Sequence, residues 1–303
     1  PPADGIVLGC EMIGSKDVCL ACGAAIDATR EVVRLRDAHL VSCRHCRSWN
    51  YFPRASATGQ IALHDDDNYF KHPYFENRQS QHRRADRRCR DLFKVLAGVP
   101  RAPDPLGARV LDIGCGGGEL LESARRQFGI DPTGLDVARY AVKQLEEKGI
   151  RAVRGVLADI PATPQFDIVF AIDVIEHVLD PRGFIADIAA RLAPGGVAFL
   201  ETPNHFSLVY GVGRLIANAT GGWPPGALER LFPPHHVVYL SRAALGQAVE
   251  ASGLQLVRFY SRTLQMLDIG GSSVLRAGLG SLQLFDHLTG QRALNCMLLR
   301  KSD

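Results

Sequence analysis

Asp112 stands just ahead of a cluster of glycines, in the run Val110-Leu111-Asp112-Ile113-Gly114-Cys115-Gly116-Gly117-Gly118-Glu119-Leu120. An apolar strand that passes through such a turn into a helix builds a nucleotide site. Glycines permit the sharp bend and let a ligand lie against bare backbone. A second acid, Asp136, closes Gly134-Leu135-Asp136. A carboxylate at the end of the second strand of a doubly wound sheet is placed to accept both ribose hydroxyls of an adenosine. The G-C-G-G-G pattern differs from the spaced G-x-G-x-x-G of dinucleotide enzymes. A pyrophosphate wants free helix N-terminal amides, and an acid directly before the loop would repel it. That acid suits a ligand carrying an ammonium group.

Thiols and imidazoles form the other chemically capable sets. Cys19-x-x-Cys22 and Cys43-x-x-Cys46 are two knuckles, each putting two thiolates on one tight turn, and together they complete a tetrahedron for zinc. Four cysteines close the coordination sphere, so this zinc is expected to be structural. Cys10, Cys89, Cys115 and Cys296 are scattered and expected to be unpaired, consistent with a reducing cytoplasm. Of ten histidines, His177, His205, His235 and His236 fall on loops after strands or in an aromatic and proline-rich stretch, where a ligand of an open α/β sheet sits.

The elements that must position these groups follow an alternating rhythm. Strands are expected near 109–113, 131–136, 151–154, 166–172 and 197–202, with helices near 118–128, 138–148 and 182–193. Such alternation implies a parallel sheet with helices on both faces. Pro194-Gly195-Gly196 reads as a helix stop and turn. The rhythm breaks over 205–234, where Tyr210, Trp223, Phe232 and paired prolines suggest an irregular lid. A helix near 241–252 and strands near 254–261 and 293–300 should close the fold, and Val274, Leu275, Leu279, Leu282, Leu284, Phe285 and Leu288 suggest an apolar helix packed in the core. Before the alternating region, 32–36 and 39–42 read as a short hairpin between the knuckles. Next comes a linker, 55–78, rich in acids and aromatics. Its pairs Tyr69-Phe70 and Tyr74-Phe75 would either cover a ligand mouth or dock the ribbon. A helix over 79–96 carries the basic run 82–90. Such a run is usually a solvated helix face and otherwise grips phosphate.

The glycine turn with its acids resembles the first motif of class I S-adenosylmethionine-dependent methyltransferases, and the resemblance continues through most of the chain that follows. The run 166–178 is similar to that family's fourth strand and following loop, and 192–204 to the next helix end and fifth strand. The resemblance implies a doubly wound, Rossmann-like α/β fold: a seven-stranded sheet, mostly parallel with one antiparallel strand, preceded by a small zinc ribbon. It implies S-adenosylmethionine as cofactor, held by Asp112, Gly114, Cys115 and Gly116, by Asp136 and Val137, by Asp159 and Ile160 near the adenine, and by Asp173. The domains expected are a ribbon over 1–54, a linker and helix over 55–100, and a methyltransferase domain over 101–303. Residues 232–241 resemble a His-x-x-Tyr-(Phe/Leu)-Ser segment of small-molecule members, including sugar methyltransferases with an N-terminal zinc module. There the match implies His236 as general base, with His235 and His177 as alternatives. Asp173-x-x-Glu176-His177 resembles the Glu-x-x-Glu-His pattern with which ubiquinone-pathway O-methyltransferases bind a divalent metal, so a Mg²⁺ site there is a secondary expectation. The chain departs from the sugar C-methyltransferases in the spacing of its zinc segment, and the match to them covers the catalytic core and the general idea of the ribbon, not their further C-terminal domain.

The leading expectation is O-methylation of a small molecule, such as a sugar, glycan or secondary metabolite. C-methylation of a sugar is an alternative. RNA methylation, using the ribbon and the arginine helix, is the runner-up. Against it stand a net charge of only +3 and the absence of an Asn/Asp-Pro-Pro-(Tyr/Phe) motif after strand four. A binding scaffold without transfer activity is the third reading, and retention of Asp112, Asp136 and Asp159 argues against it. With 46% hydrophobic and 22% charged residues, the chain is that of an ordinary globular protein. No run approaches the roughly 20 apolar residues of a membrane span. Residues 1–5 lack the layout of a signal peptide and lack Met, so the true start is expected to be missing or processed; the expected location is cytoplasmic.

Overall fold

A computed structural model describes residues 18–27, 30–65, 78–163, 165–223, 225–263 and 273–303. The pairs Tyr69-Phe70 and Tyr74-Phe75, and Cys10, lie outside the described residues. The N-terminal region folds as strands β1 (Glu31–Arg34), β2 (His39–Ser42) and β3 (Trp49–Phe52), followed by helices α1 (Ala57–His64) and α2 (Arg78–Ala97). Alternation then begins: β4 (Arg109–Ile113), α3 (Glu119–Phe128), β5 (Asp131–Asp136), α4 (Arg139–Glu147), β6 (Arg151–Arg154), β7 (Phe166–Ile172), α5 (Pro181–Arg191) and β8 (Leu192–Pro203). The chain closes with α6 (Leu208–Thr220), α7 (Pro225–Leu231), β9 (Val238–Tyr239), α8 (Arg242–Ala251), β10 (Gln255–Arg262), α9 (Ser273–Thr289) and β11 (Leu294–Arg300).

The main sheet has seven strands in the order β10-β11-β8-β7-β4-β5-β6. Strands β4 to β8 pair in parallel, and β11 runs antiparallel to both its neighbours, β8 and β10. Central strands are mostly apolar because both sheet faces are covered. Leu111, Val169 and Ala171 pack on one side with Ile185, Ile188 and Leu245, while Val110, Ile168 and Phe170 pack on the other with Phe93 and Leu121. Local signals set the helix ends. Asp180 accepts a hydrogen bond from the Gly183 N–H with Pro181 in the first turn of α5, and Gly129 closes α3 in the left-handed conformation. Among the described residues, no helix is long and apolar enough to cross a membrane.

Four expectations change. Strand β8 starts at Leu192, and the Pro-Gly-Gly read as a turn lies within it, Leu192 pairing with Phe166 across a register shift. The stretch 205–234 holds two helices: Ser207 caps α6 by accepting from the Tyr210 N–H, and Gly221 ends it. The linker likewise contains a helix, α1, capped by Ser56. On α9, Leu284, Phe285 and Leu288 stand 64%, 59% and 74% exposed instead of in the core. Asp286 takes the packed side of that helix, where it accepts from the Leu208 N–H at 2.7 Å, and so turns these three outward.

The ribbon sheet is completed from far along the chain. Strand β9 pairs with β3, giving the order β1-β2-β3-β9. Val33, Leu40, Trp49 and Tyr51 pack against Tyr210, Ala217, Phe232 and Tyr239. Helix α6 therefore covers the inner face of the ribbon, and β9 anchors, at its C-terminal end, the segment that carries His235 and His236.

Candidate active site

The glycine turn lies between β4 and α3, at the carboxyl edge of the sheet, where open α/β sheets bind their ligands. Gly114 has φ +68°, and a Cβ there would stand 2.6 Å from Val174 Cγ2, so the loop after β7 packs directly on the turn. At Gly116, with φ +53°, a Cβ would meet nothing within 4 Å. The turn thus opens onto empty space at that point. Asp136 braces it, accepting from the Gly116 N–H and the Ala138 N–H at 2.9 Å each. Cys115 is buried behind the turn against Gly134, and the Val137 carbonyl accepts from Arg154 Nε at 3.3 Å.

Two carboxyls here are uncomfortable without a ligand. Burial raises the Asp112 carboxyl to about 8, with the nearby Asp136 charge adding to the shift and Arg88 opposing it. Burial also raises Asp136, against the hydrogen bonds from Ala138 and Gly116. An ammonium beside Asp112 would relieve the first. Asp159 is exposed and accepts from its own Val156 N–H at 2.8 Å, which stiffens the loop after β6; Ile160 beside it is buried in the core. Asp173, at the end of β7, holds a left-handed backbone at φ +55° and donates its N–H to the Glu201 carbonyl at 3.0 Å.

The histidines converge more closely than their sequence positions suggest. His177, His235 and His236 bring ring nitrogens within 4.8 Å of one another. His177 Nδ1 donates to the His235 carbonyl at 2.9 Å, which leaves Nε2 with the lone pair. The Val237 N–H donates to the Glu176 carbonyl, tying the two loops together, and the His236 ring lies 5.4 Å from Tyr239. His64, at the end of α1, packs edge-on against His177 at 4.9 Å. The rings of His177, His235 and His236 are held neutral, first by burial and then by neighbouring imidazoles, His64 among them in each case: His177 falls to about 3, His235 to about 4, and His236 drops well below the ordinary range. His236 Nδ1 is buried without a hydrogen-bond partner. His205 lies apart, between Trp49 and Phe206.

Asp173, Glu176 and His177 are not gathered into a metal-ligand set. Among the described residues the convergent groups of such side chains are the three histidines and the four cysteines. Glu176 is fully buried and accepts from Thr202 Oγ1 at 3.0 Å, toward β8, and burial beside Asp173 raises its carboxyl well above the usual range.

A buried ion cluster escaped the sequence reading. Glu201 on β8 is 3% exposed and accepts from Arg262 through both oxygens, at 2.5 and 2.6 Å, and from Arg88 at 2.6 Å. Arg88 therefore belongs to the interior, not to a basic face of α2. The signal was present in the sequence: a glutamate inside Val197-Ala198-Phe199-Leu200-Glu201 needs a cationic partner once the strand is central.

A family model described as a methyltransferase domain matches residues 80–258. The chain belongs to the class I S-adenosylmethionine-dependent methyltransferases. Among curated relatives of this methyltransferase, a ubiquinone biosynthesis O-methyltransferase of Methylobacterium nodulans is 35% identical over 166 residues, 52% of this chain and 64% of the relative. Another of that description, from Methylocella silvestris, is 31% identical over 216 residues, 66% of this chain and 78% of the relative. The chain thus spans slightly under two thirds of the first relative's length. A solved S-adenosylmethionine-dependent methyltransferase from Archaeoglobus fulgidus matches the fold with a TM-score of 0.53 at 20% identity, over 78% of this chain and all of that one.

The methyltransferase's ribbon gathers its four thiols. Cys19 and Cys46 lie 3.6 Å apart at sulfur, as do Cys22 and Cys43, and all four ligand atoms fall within 4.8 Å. Four sulfurs on a tetrahedral zinc at about 2.3 Å would sit about 3.8 Å apart, so the donor set has the right chemistry and size. Asn50 Nδ2 donates to Cys19 Sγ at 3.4 Å, and its oxygen accepts from the Leu20 N–H at 3.0 Å, so it steadies the first knuckle. The second knuckle is held by the larger domain: Ser241 Oγ donates to the Cys46 carbonyl and His205 Nε2 to the Arg47 carbonyl.

Proposed function

We propose that this protein transfers a methyl group from S-adenosylmethionine to a hydroxyl of a small molecule, in the class of sugars, glycans or secondary metabolites. The observation that carries the reading is the convergence of three neutral imidazoles beside the loop that packs on the glycine turn. The curated relatives named for O-methylation support the choice of oxygen as acceptor atom.

When bound, the cofactor supplies an electrophilic methyl on a sulfonium. Gly114, Cys115 and Gly116 would line its backbone cradle, Asp112 would face its ammonium, and Asp136 with Val137 its ribose. Asp159 and Ile160 would border the adenine, and Asp173 the reacting end. His236 is the proton acceptor in this reading, as the histidine that the resemblance of residues 232–241 singles out, and its Nδ1 has no hydrogen-bond partner within the protein. His177 and His235 position it, their rings packed at 4.8 and 5.1 Å. Burial keeps the imidazole unprotonated through neutral pH, and in the ligand-free protein it also lowers its basicity. No step is drawn through Mg²⁺, since its expected ligands do not converge. We assign Zn²⁺ to the four cysteines in a structural role, and the cytoplasmic setting stays part of the proposal.

The test is His236→Ala. Turnover should fall by about 10²–10⁴-fold, the usual contribution of a positioned base, while affinity for S-adenosylhomocysteine stays at the wild-type value. Unchanged turnover would remove His236 as base.

A further inference from the structure

A second cavity, of about 500 Å³, lies between the ribbon and helix α6. That volume is in the range of small-ligand sites. Arg30, Arg44, Arg47 and Arg214 line it together with Trp49 and His205, and no carboxylate is among the described residues of its wall. Arg44 and Arg47 belong to the second cysteine knuckle and could answer to the charge of a zinc tetrathiolate. Arg30 precedes β1 and Arg214 lies on α6, so two further guanidiniums converge from outside the knuckle. The wall keeps a net positive charge even after Arg44 pairs with Asp27 at 2.8 Å.

His205 is a buried polar member of the wall and holds the second knuckle from behind. It is 2% exposed, and its Nε2–H is committed to the Arg47 carbonyl at 3.1 Å. Nδ1 must then carry the lone pair, and it is buried with no donor. Trp49 and Tyr239, buried and 6.4 Å apart, stand between this cavity and His236, so the site is separate from the cofactor turn.

We propose that this cavity binds a phosphoryl group on a small molecule. The arginines grip its oxygens in their planar forks. The carrier is either a soluble molecule or a lipid, since Phe206, Leu215 and Ile216 stand exposed nearby. Gly211 offers a gentle way to block it: it lines the cavity from α6, and a Cβ there meets nothing within 4 Å.

The experiment is calorimetric titration of the zinc-loaded protein with inorganic pyrophosphate, for wild type, Arg214→Ala, Arg47→Ala and Gly211→Met. Saturable, salt-sensitive binding is expected, weakened about tenfold or more in each variant. Zinc content and S-adenosylhomocysteine affinity should stay unchanged in all four. Vesicles of phosphatidic acid in phosphatidylcholine distinguish the sources: sedimentation that depends on Arg214 and is competed by pyrophosphate points to a lipid phosphate, and pyrophosphate binding without sedimentation to a soluble one. The proposal is overturned if binding does not saturate by about 10 mM, if the variants bind as wild type does, or if Arg47→Ala and Arg214→Ala lose zinc in place of the anion.

Discussion

Replacing Gly116 by alanine tests whether the glycine turn is a cofactor cradle, because the two costs of the change fall in different measurements. The backbone cost is that of a left-handed residue: at φ +53° an alanine pays about 1–2 kcal/mol. No steric cost adds to it in the ligand-free protein, since the new Cβ meets nothing within 4 Å. For a domain of this size that corresponds to a melting temperature lower by about 2–8 °C. The methyl would stand in the space the turn opens onto, and crowding a fitted ligand there costs a further 1–3 kcal/mol or so, about 5- to 150-fold in affinity. Calorimetric titration with S-adenosylhomocysteine reads the second cost, and thermal melts without ligand read the first. Gly114→Ala is the contrast: its Cβ would come 2.6 Å from Val174, so the ligand-free fold itself should suffer more. Wild-type affinity for S-adenosylhomocysteine in Gly116→Ala would refute the cradle, whatever its melting temperature.

Asp112→Asn should change how stability depends on pH. A carboxyl raised to about 8 in the folded chain binds its proton more tightly there than when unfolded, so its contribution is complete below about pH 4 and is lost as pH rises toward 8. Urea denaturation across that window should show wild type losing stability on the order of a few kcal/mol that the variant keeps; parallel profiles would contradict the burial argument. Metal analysis should find a single zinc per chain, and chelation should raise hydrogen exchange first in β1 to β3 and then at β9, because β3 and β9 are paired. A protein without zinc, or with exchange unchanged after chelation, would end that assignment. Glu201→Gln should cost about 3–5 kcal/mol by leaving Arg88 buried without its partner, and adding Arg88→Met should recover part of it. A denaturation midpoint near wild type for Glu201→Gln would show the cluster to be dispensable.

Much of the fold was legible because its signals are local. Val110 to Gly118 carries strand, bend and helix entry within one short run, and Asp180-Pro181 announces a helix start. The stretch 205–234 was misread for an equally local reason. Gly221, Pro225 and Pro233 fall at the ends of α6 and α7, where they punctuate helices, Gly211 and Gly213 lie inside α6, and the apolar face of α6 only makes sense against a ribbon encoded far upstream. Arg88 was read as part of a charge run because helical spacing alone does not reveal which turn of a basic helix meets a buried glutamate.

By itself the sequence determined the cofactor-binding topology, the acids that flank the glycine turn and the four-thiol set, since each depends on residue type at short range. Only the tertiary structure decided which groups share a site. It placed β9 on the ribbon, drew His64 from α1 toward His177 and His235, turned Glu176 away to Thr202, and closed an arginine-lined cavity between two segments distant in the chain. Those are long-range contacts, set by which buried surfaces fit and which charges and polar groups find partners once the whole chain has collapsed.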